Sequence, residues 1–547
     1  MKKMCTALVI ALLVFFVMPA RAQTVVPETI RVGLKYGSTA PASVKLSSDS
    51  NLEFGYYQGS TFFSLFAYQG KSSIYIRKDS FFTNKNGLFI EVQPGEISSS
   101  SDISFGPYHL QVSSAFPDRQ QADALLASVQ GAGVEGFIAY DDGWRVWVGR
   151  YASISEMESE NSKLRSRLGE AYQVYPVYPT GGRLQINDEA GRILFMFEGK
   201  DRFLVARTVE QGQSYSLINV DGKRFRGTVE FKRHEGGNIT VVNTLSLQQY
   251  LYGVVPREMS ADWHIEALKA QAVAARNYAI VNMNKHASYG FNVCSTTDCQ
   301  VYGGYDSEKP SSNAAVDDTK GQLIYYNGNP ITAFFHASSG GYTENAENVW
   351  SVSLPYIKAV EDSFSEGSPH NSWQRVYTAD EINSILAAQQ INLGSIQNIS
   401  IDSYTPTGRS LSMTITGSRG STVLEKEKSR AIFGYDELKS TMFTVETDAD
   451  LFVIGSVGQP VQKIKGATAR VVTAGGQKLL SEGPDMLRIY NGSQYATASK
   501  YPTRFIFNGK GWGHGLGMSQ WGAKGMAEAG YSYVEILQYY YQGTVVQ

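Results

Sequence analysis

The sequence predicts an α+β protein that is rich in strands, with its helices gathered in two regions. In residues 60–95 and 183–247, apolar or aromatic residues alternate with polar residues, a pattern that is typical of strands. Residues 107–178 change repeatedly between strand and helix patterns, and residues 262–284 form the clearest helix. A chain of 547 residues is too long for one compact core, so we expect two to four domains.

The N-terminus has the pattern of an export signal. Lys2 and Lys3 are followed by an apolar run, residues 7–18, and by a small-residue cleavage site, residues 20–22. This pattern predicts a secretory signal peptide over residues 1–22, with an uncleaved anchor as the alternative. No second apolar run of membrane-spanning length follows. We therefore expect a secreted mature protein without a transmembrane anchor.

The charge balance argues against a nucleic-acid partner. The chain carries 49 Lys and Arg against 51 Asp and Glu, for a net charge of −2. A nucleic-acid-binding domain would show a basic surplus. The predicted function must therefore come from particular motifs rather than from overall charge.

Residues 107–178 have the order β-α-β-β-α-β. Such an order predicts a ferredoxin-like sandwich. It follows a β-rich N-terminal segment, residues 23–100, and a serine cluster at residues 98–101 that we interpret as a linker. Alternation along residues 144–151 places Trp144 on one face of its strand and Trp147 on the other.

This region resembles the SPOR family of peptidoglycan-binding domains. The matching pieces are Tyr-His-Leu-Gln-Val-Ser-Ser at residues 108–114 and Trp-Arg-Val-Trp-Val-Gly-Arg-Tyr at residues 144–151. The resemblance implies binding to glycan strands from which the peptides have been removed. An unrelated module with the same order of elements is the alternative.

Glu258 is the first candidate for chemistry. It follows Pro256 in a predicted loop, ahead of a helix for which Asp262 is a plausible N-cap. Apolar neighbours would raise the pKa of this carboxyl group and keep a proton available for general-acid catalysis. The alternative is a solvated glutamate beside Arg257.

Five segments in order resemble the SpoIID/LytB family, the stage II sporulation protein D group. The five segments occupy residues 245–260, 265–279, 298–303, 335–350 and 511–523. We therefore expect a β-rich catalytic domain over residues 183–547, with a long helix beside the active-site loop. Residues 445–500 match no motif and are a possible insertion within it.

The family includes lytic transglycosylases, and the resemblance implies this activity here. These enzymes cut the MurNAc-GlcNAc β-1,4 bond of peptidoglycan and leave a 1,6-anhydro-MurNAc end. The 6-hydroxyl of the sugar attacks, so a single carboxylate acts as acid and then as base, where ordinary glycosidases need two. The motif positions imply that Glu258 is this carboxylate, assisted by Arg276 on the following helix. A solvated helix arginine is the alternative for Arg276.

The same motifs suggest residues that line a glycan cleft. Glycines at alternate positions from Gly509 to Gly517 let the backbone approach a ligand closely. His514 among them is either a glycan contact or a buried hydrogen-bonding residue, and residues 338–341 are either a cleft loop or an ordinary tight turn. The predicted substrate-binding residues are Tyr252, Gln271, Tyr302, Ser338, Ser339, Gly340, His514 and Gln520.

Four residues are candidates for a metal site. His286, Cys294, Asp298 and Cys299 combine imidazole, thiol and carboxyl groups, which are the ligand types of zinc. Some members of the resembled family have a histidine just before the second cysteine and bind zinc there, whereas this chain has Asp298. A structural zinc, a disulfide and two free thiols all remain open.

Two other functions compete with the transglycosylase. LytB-type relatives are described as amidase enhancers, which implies a wall-binding protein that modulates a separate cell-wall amidase. A structural wall protein whose main function is its SPOR-like module is the second. All three functions place the protein outside the cytoplasm, on peptidoglycan glycan strands of the cell wall.

Overall fold

The computed structural model describes most of the chain. The described residues are 26–85, 88–94, 103–169, 171–209, 216–234, 236–453, 458, 460–465, 470–473, 475–479, 486–490 and 493–547. The predicted signal peptide and the predicted linker at 98–101 lie outside these residues. The fold is α+β and strand-rich, as the sequence predicted.

The N-terminal region consists of strands. They are β1 (Thr29–Lys35), β2 (Ser43–Ser48), β3 (Leu52–Gln58), β4 (Thr61–Tyr68), β5 (Ile74–Lys78), β6 (Phe82–Lys85), β7 (Leu88–Glu91) and β8 (Ile103–Phe105). The alternation of residues 60–95 is the sequence pattern behind β4 to β7. β6, β7 and β8 form a small sheet of their own, in the order β7-β6-β8.

The second region has the predicted β-α-β-β-α-β order. Its elements are β9 (Tyr108–Phe116), α1 (Arg119–Gly131), β10 (Gly136–Tyr140), β11 (Trp144–Tyr151), α2 (Ile154–Leu168) and β12 (Val174–Val177). Asp118 and Ser153 cap the two helices, because their side chains accept hydrogen bonds from the backbone N–H groups of Gln121 and Glu156. The two helices pack against one face of the sheet.

The central region contains two further sets of elements. Its strands are β13 (Arg183–Asn187), β14 (Ile193–Glu198), β15 (Leu204–Thr208), β16 (Ile218–Val220), β17 (Lys223–Phe225), β18 (Thr228–Arg233) and β19 (Ile239–Ser246). Two helices follow, α3 (Leu247–Glu258) and α4 (Ile265–Val281). Next come β20 (Val293–Cys294), α5 (Pro310–Asp318), β21 (Ile324–Tyr326), β22 (Asn329–Pro330), β23 (Phe335–His336) and α6 (Ala346–Trp350).

The C-terminal region alternates small sheets and helices. Its elements are β24 (Trp373–Thr378), α7 (Ala379–Ala388), β25 (Ile396–Tyr404), β26 (Ser410–Gly417), β27 (Gly420–Glu425), α8 (Lys428–Phe433), β28 (Phe443–Thr447), β29 (Asp450–Val453), β30 (Gln462–Lys465), β31 (Arg470–Thr473), β32 (Gly476–Leu479), β33 (Met486–Tyr490), β34 (Tyr495–Ser499), β35 (Arg504–Gly509), β36 (Met518–Ser519), α9 (Gln520–Glu528), α10 (Tyr533–Tyr540) and β37 (Val545–Val546). The three hairpins from β29 to β34 lie between β28 and β35, which pair with each other. The interpretation of residues 445–500 as an insertion stays a prediction.

Two large sheets organise the first half of the molecule. One has the order β20-β1-β19-β18-β15-β3-β4. The other has ten strands in the order β12-β9-β11-β10-β14-β13-β5-β2-β16-β17. Strands from residues 23–100 lie inside both sheets, so this segment shares its core with the region after residue 183. The expected boundary around residue 100 therefore does not separate two independent layers.

The ten-stranded sheet joins the β-α-β-β-α-β module to the rest of the molecule. β10 pairs in parallel with β14, through Ala139 opposite Met196. As alternation predicted, Trp144 lies in the main core on the helix side, whereas Trp147 packs with Phe137 and Met196 on the other side. Both faces of β11 are therefore buried.

Glu258 is the last residue of helix α3 and does not lie in a loop, which corrects the prediction. Ser246 caps this helix and forms a reciprocal capping box with Gln249. Pro256 lies inside the last turn, where it has no N–H to donate to the carbonyl of Tyr252, so the helix continues to Glu258 with one hydrogen bond fewer. The predicted N-cap of the next helix was also wrong, because His264 takes that position in place of Asp262.

Candidate functional site around Glu258

The Glu258 carboxyl group is enclosed by donors and apolar surface. The backbone N–H of Val301 donates to Glu258 Oε1 over 3.0 Å. Burial raises the pKa of Glu258, while the Val301 N–H, the Gln520 side chain and the charge of Arg257 oppose this shift without cancelling it. The residue keeps partial contact with solvent. This environment favours a carboxyl group that holds a proton at a higher pH than usual, as the sequence predicted for a general acid.

Gln520 connects Glu258 to the long helix α4. Its side-chain amide donates to the Glu258 carboxylate and also lies 3.3 Å from Gln271 Oε1. Gln271 is fully buried, and its amide nitrogen has no hydrogen-bond partner among the described residues. Two of the predicted substrate-binding residues thus lie in one hydrogen-bonded chain with Glu258. Ser519 is the N-cap of helix α9 and so fixes the position of Gln520, the first residue of that helix.

An aromatic pair accompanies this chain of side chains. Trp263 and Trp521 meet edge to face, with ring centroids 4.9 Å apart. Trp521 follows Gln520 directly, and its backbone N–H donates to the Ala337 carbonyl over 3.0 Å. The two tryptophans are far apart in sequence, so their contact is evident only in the folded chain.

Arg276 has other partners than Glu258, which contradicts the expectation that it directly assists this carboxylate. Its guanidinium donates to the carbonyl oxygens of Gln322 and Val316 over 3.2 and 3.3 Å. The side chain is 1% exposed, and burial lowers its pKa to about 10. It is not the solvated arginine of the alternative either. Arg276 holds the end of α5 against α4, because buried carbonyl groups need donors.

Two tyrosines also have structural partners. The Tyr302 hydroxyl donates to Asn243 Oδ1 over 2.8 Å, and its buried ring lies against Gly253, where a Cβ atom would come within 2.6 Å of it. Tyr302 is therefore packed inside the protein and does not line a cleft, contrary to the prediction. Tyr252 is half-buried and donates to Asp317 over 2.5 Å. Burial and then this hydrogen bond raise the pKa of Tyr252 to about 12.

The predicted cleft loop at residues 338–341 packs against the glycine-rich loop. Ser338 and Trp512 exchange backbone hydrogen bonds of 3.0 and 2.8 Å. A Cβ atom at Gly340 would lie 2.9 Å from the backbone of Gly511, at a positive φ of 78° that favours glycine. Ser339 is buried and its hydroxyl lies 3.1 Å from that of Ser365. These contacts are those of the tight turn, which braces a second loop, and the role of the loop in a cleft stays a prediction.

His514 lies among aromatic rings and accepts a local hydrogen bond. The backbone N–H of Leu516 donates to His514 Nδ1 over 3.0 Å, and the Trp350 ring lies 5.0 Å away. Burial, followed by the charges of Arg430 and Arg409, lowers the pKa of His514 to about 3. His514 is therefore a neutral imidazole at physiological pH. This environment favours the buried hydrogen-bonding role over a charged glycan contact.

The four candidate metal ligands lie together. The ligand atoms of His286, Cys294, Asp298 and Cys299 are all within 4.8 Å of one another. His286 Nε2 lies 3.4 Å from Cys299 Sγ and 3.3 Å from Asp298 Oδ2, and both cysteines are free thiols. Two sulfurs, one nitrogen and one oxygen form a donor set that suits tetrahedral zinc. The substitution of aspartate for histidine leaves the count of donors at four.

This four-residue group, the Cys/His cluster, adjoins the Glu258 site along the chain. Val301, which donates to Glu258, follows Cys299 by two residues. Between them, Gln300 accepts a hydrogen bond from the buried Tyr250 hydroxyl over 3.2 Å. The conformation of residues 299–301 therefore links the cluster to the carboxyl group.

Some residues that build the site were missed by sequence reasoning. Val301 acts through its backbone N–H, which leaves no signal in a side chain. Arg409 is 1% exposed and donates to the Ser339 carbonyl over 2.7 Å, so it supports the predicted cleft loop from a distant part of the chain. His336 lies beside His514 with ring centroids 5.5 Å apart. An isolated arginine gives no indication of such a contact, and the segment 335–350 does not show which residue His336 would meet.

Comparisons with known families agree with this organisation. The SPOR domain profile matches residues 104–175, and the stage II sporulation protein D profile matches residues 235–326, which contain Glu258 and the Cys/His cluster. A domain of unknown function matches residues 354–459. Every helix among the described residues is too short or too polar to cross a membrane.

Three curated proteins are similar over more than half of this chain. An uncharacterised protein of Brachyspira hyodysenteriae is 31% identical over 60% of this chain and 73% of its own length. The stage II sporulation protein D of Bacillus subtilis is 29% identical over 56% of this chain and 75% of its own length. The amidase enhancer of Bacillus subtilis is 36% identical over 62% of this chain, but the match spans only 46% of the enhancer.

Fold, site and similarity define a cell-wall-associated protein with a SPOR domain. The chain belongs to the stage II sporulation protein D family. Its function is therefore related to the cell wall and of the type that this family represents.

Proposed function

We propose that this protein is a peptidoglycan lytic transglycosylase that acts through Glu258. The observation that carries the proposal is the environment of this carboxyl group, which is enclosed, has a raised pKa and is held by two hydrogen-bond donors. The groups that shift its pKa include no second carboxylate. A single carboxyl group suits a reaction in which the substrate supplies its own nucleophile.

The proposed reaction needs Glu258 twice. The protonated carboxyl group first donates its proton to the glycosidic oxygen, and the bond from C1 of MurNAc to O4 of GlcNAc breaks. The 6-hydroxyl of the same MurNAc then attacks C1 and forms the 1,6-anhydro bond. Glu258, now ionised, accepts the proton of that hydroxyl and is regenerated, so no water is consumed. The Val301 N–H and the Gln520 amide stabilise the ionised form between the two steps.

Product analysis is the direct test of this proposal. Purified protein is incubated with peptide-free glycan strands, and the ends are identified by mass spectrometry. Anhydro-MurNAc ends are expected from the wild type. Glu258→Gln keeps the shape but removes the transferable proton, and it should lower the rate by about 100-fold to 10,000-fold. Wild-type binding without anhydro product, or full activity in the variant, would contradict the proposal.

A second proposal concerns the Cys/His cluster, which we infer to hold a structural zinc ion. His286, Cys294, Asp298 and Cys299 would supply the four ligands. Bound zinc would fix residues 294–299 and, through them, the Val301 N–H that faces Glu258. Metal analysis of protein purified without chelators should find about one zinc per chain. Cys299→Ser should lose it, whereas Thr296→Ala, next to Cys294 Sγ but outside the ligand set, should keep it.

The zinc proposal also predicts that both cysteines of the Cys/His cluster are reduced. Two metal-bound thiols become titratable with a thiol reagent after denaturation, and the intact mass shows no loss of two hydrogens. Absence of metal from unchelated protein would overturn the proposal. An intact mass that is lower by two hydrogens would indicate a disulfide between Cys294 and Cys299 in its place.

An enhancer of a separate cell-wall amidase is the rival function. The name of one relative, the amidase enhancer of Bacillus subtilis, favours it. In that function Glu258 would be dispensable, and the protein would raise the activity of an added amidase on intact wall material. The Glu258→Gln variant separates the two functions, because only the transglycosylase requires a proton donor at this position.

A further inference from the structure

A cavity of about 530 Å³ lies where the SPOR module meets the N-terminal strands. One side comes from the β3–β4 hairpin and contains Tyr56, Phe63 and Leu65. The other side comes from the module, from the end of β9 to the start of α1 and from the β10–β11 turn. None of its lining residues belongs to the region around Glu258.

The walls of this cavity are aromatic. Tyr56 and Phe63 stack with ring centroids 5.4 Å apart and an angle of 14° between their planes. Tyr140 and Trp144 meet edge to face at 5.2 Å on the module side. Phe63 is 41% exposed, so its ring presents a free face to solvent. An exposed, supported ring of this kind is a platform for another flat apolar surface.

Polar groups stand at the rim. The Tyr56 and Tyr140 hydroxyls are 3.1 Å apart and join the two sides of the cavity. Asp142 lines the rim with a half-exposed carboxylate and pairs with Lys200 over 2.6 Å and with Arg202. The Arg202 guanidinium lies 4.5 Å above the Tyr56 ring. Burial and then the hydrogen bond to Tyr56 raise the pKa of Tyr140 to about 12, so its phenol remains protonated.

We propose that this cavity, the junction pocket, binds one or two sugar rings of a wall glycan strand. A pyranose has apolar C–H faces and a polar edge, which match stacked aromatic rings with a carboxylate and phenols at the rim. A volume near 530 Å³ lies in the range of small-ligand sites. We choose a wall glycan over other saccharides because the SPOR domain lies next to the pocket. The domain and the pocket would then contact the same glycan strand.

The junction pocket lies on a different side of the SPOR sheet from Trp147. Trp144 lines the pocket and belongs to the helix-side core, whereas Trp147 packs with Phe137 and Met196 on the opposite face. A glycan bound here would therefore contact both the module and the N-terminal strands. The inference rests on the wall-related function but not on cleavage by Glu258.

The test measures binding and cleavage separately. A peptide-free tetrasaccharide of GlcNAc and MurNAc is titrated into the full chain by calorimetry, with maltotetraose as the comparison sugar. Phe63→Ala removes the exposed platform and should weaken binding at least about fivefold. Tyr57→Ala is the matched control, because Tyr57 is 43% exposed on the same hairpin but does not line the pocket.

A second variant guards against an effect of folding. Asp142→Asn keeps the size of a half-exposed side chain and should also weaken binding of the tetrasaccharide, with unchanged circular dichroism. Unchanged affinity in both Phe63→Ala and Asp142→Asn would overturn the proposal, as would equal binding of maltotetraose. If the wild type forms no anhydro product and Phe63→Ala still weakens binding, the transglycosylase proposal fails and the junction pocket stands.

Discussion

Glu258 and Asp79 are two acidic residues removed from solvent, and their pKa values move in opposite directions. For both, burial alone would raise the pKa. Around Asp79 the hydrogen bonds and charges of His109 and Arg183 and the amide of Gln185 overcome burial and hold the pKa well below its usual range. Around Glu258 the opposing donors are a backbone N–H and a neutral amide, so burial prevails.

The geometry of Asp79 explains its ionised state. Arg183 donates to Oδ2 over 2.9 Å, Gln185 donates to Oδ1 over 2.7 Å, and His109 Nε2 lies 3.1 Å from Oδ2. His109 Nδ1 faces the Gly149 carbonyl at 2.7 Å, so both ring nitrogens face acceptors. The cluster joins the end of β5 to β9 of the SPOR domain and to β13. One buried carboxylate is thus held ionised by its partners, while the other has a raised pKa.

The largest expected effect comes from the structural carboxylate. Asp79→Asn keeps the size but removes the charge that compensates Arg183, and the free energy of unfolding should fall by about 3–5 kcal/mol. Urea titration followed by tryptophan fluorescence measures this loss. The exposed pair of Asp123 with Arg119 provides the control, because Asp123→Asn should cost less than about 1 kcal/mol. Equal stability of the two variants would show that Asp79 contributes no more to folding than a surface ion pair does.

The second prediction concerns the pH dependence of cleavage. The general acid must be protonated, so the rate should fall as pH rises through the raised pKa of Glu258, by about tenfold per pH unit beyond it. Initial rates of anhydro-product formation between pH 4 and pH 9, roughly the range in which a perturbed carboxyl group titrates, give the position of this limb. A limb at the ordinary glutamate value of 4.5 would show that burial does not control the site.

The third prediction concerns the amide that opposes burial. Gln520→Leu removes a hydrogen bond to the ionised carboxylate, so the pKa of Glu258 should rise further and the falling limb should move to higher pH. The matched control is Gln538→Leu, because Gln538 lies in the next helix, α10, and donates to the Thr544 carbonyl. A shift to lower pH would mean that Gln520 stabilises the protonated acid instead.

The smallest expected effect is a gain in the free energy of unfolding of the inactive variant Glu258→Gln. A raised folded-state pKa makes the ionised carboxyl group of Glu258 unfavourable in the folded protein at neutral pH. Glu258→Gln should therefore raise the free energy of unfolding at pH 7, roughly neutral, by about 0.5–2 kcal/mol. The gain should shrink as pH falls and vanish below the unfolded value near 4.5, where the wild-type group is neutral in both states. A loss of stability at neutral pH would contradict this sign.

Secondary structure in the SPOR region was predictable because its signals are local. Strands 136–140 and 144–151 agree with β10 and β11 to the residue, since period-2 alternation and the turn between them depend on neighbours in sequence. The helix of Glu258 was missed for a related reason. Pro256 disfavours a helix by its local chemistry, yet the packing of the buried residues of α3 maintains the helix through it to Glu258.

The candidate site was only partly predictable. Glu258, Gln271 and Gln520 were selected by their motifs and do meet. Arg276 was selected for the same reason, yet it satisfies carbonyl groups of a neighbouring helix. A motif records which side chains are needed and does not record whether they face the substrate or the core.

The sequence by itself determined the families, the α+β class, the identity of the candidate acid and the four donors of the Cys/His cluster. The tertiary structure decided the partners of each charge: among the described residues, Asp79 has cations in hydrogen-bonding contact and Glu258 has none. It also decided that the N-terminal strands share sheets with the central region. The physical reason is that residue type and local periodicity are properties of neighbours along the chain. A pKa and a cavity wall depend on groups that are distant in sequence and come together only when the sheets and helices pack.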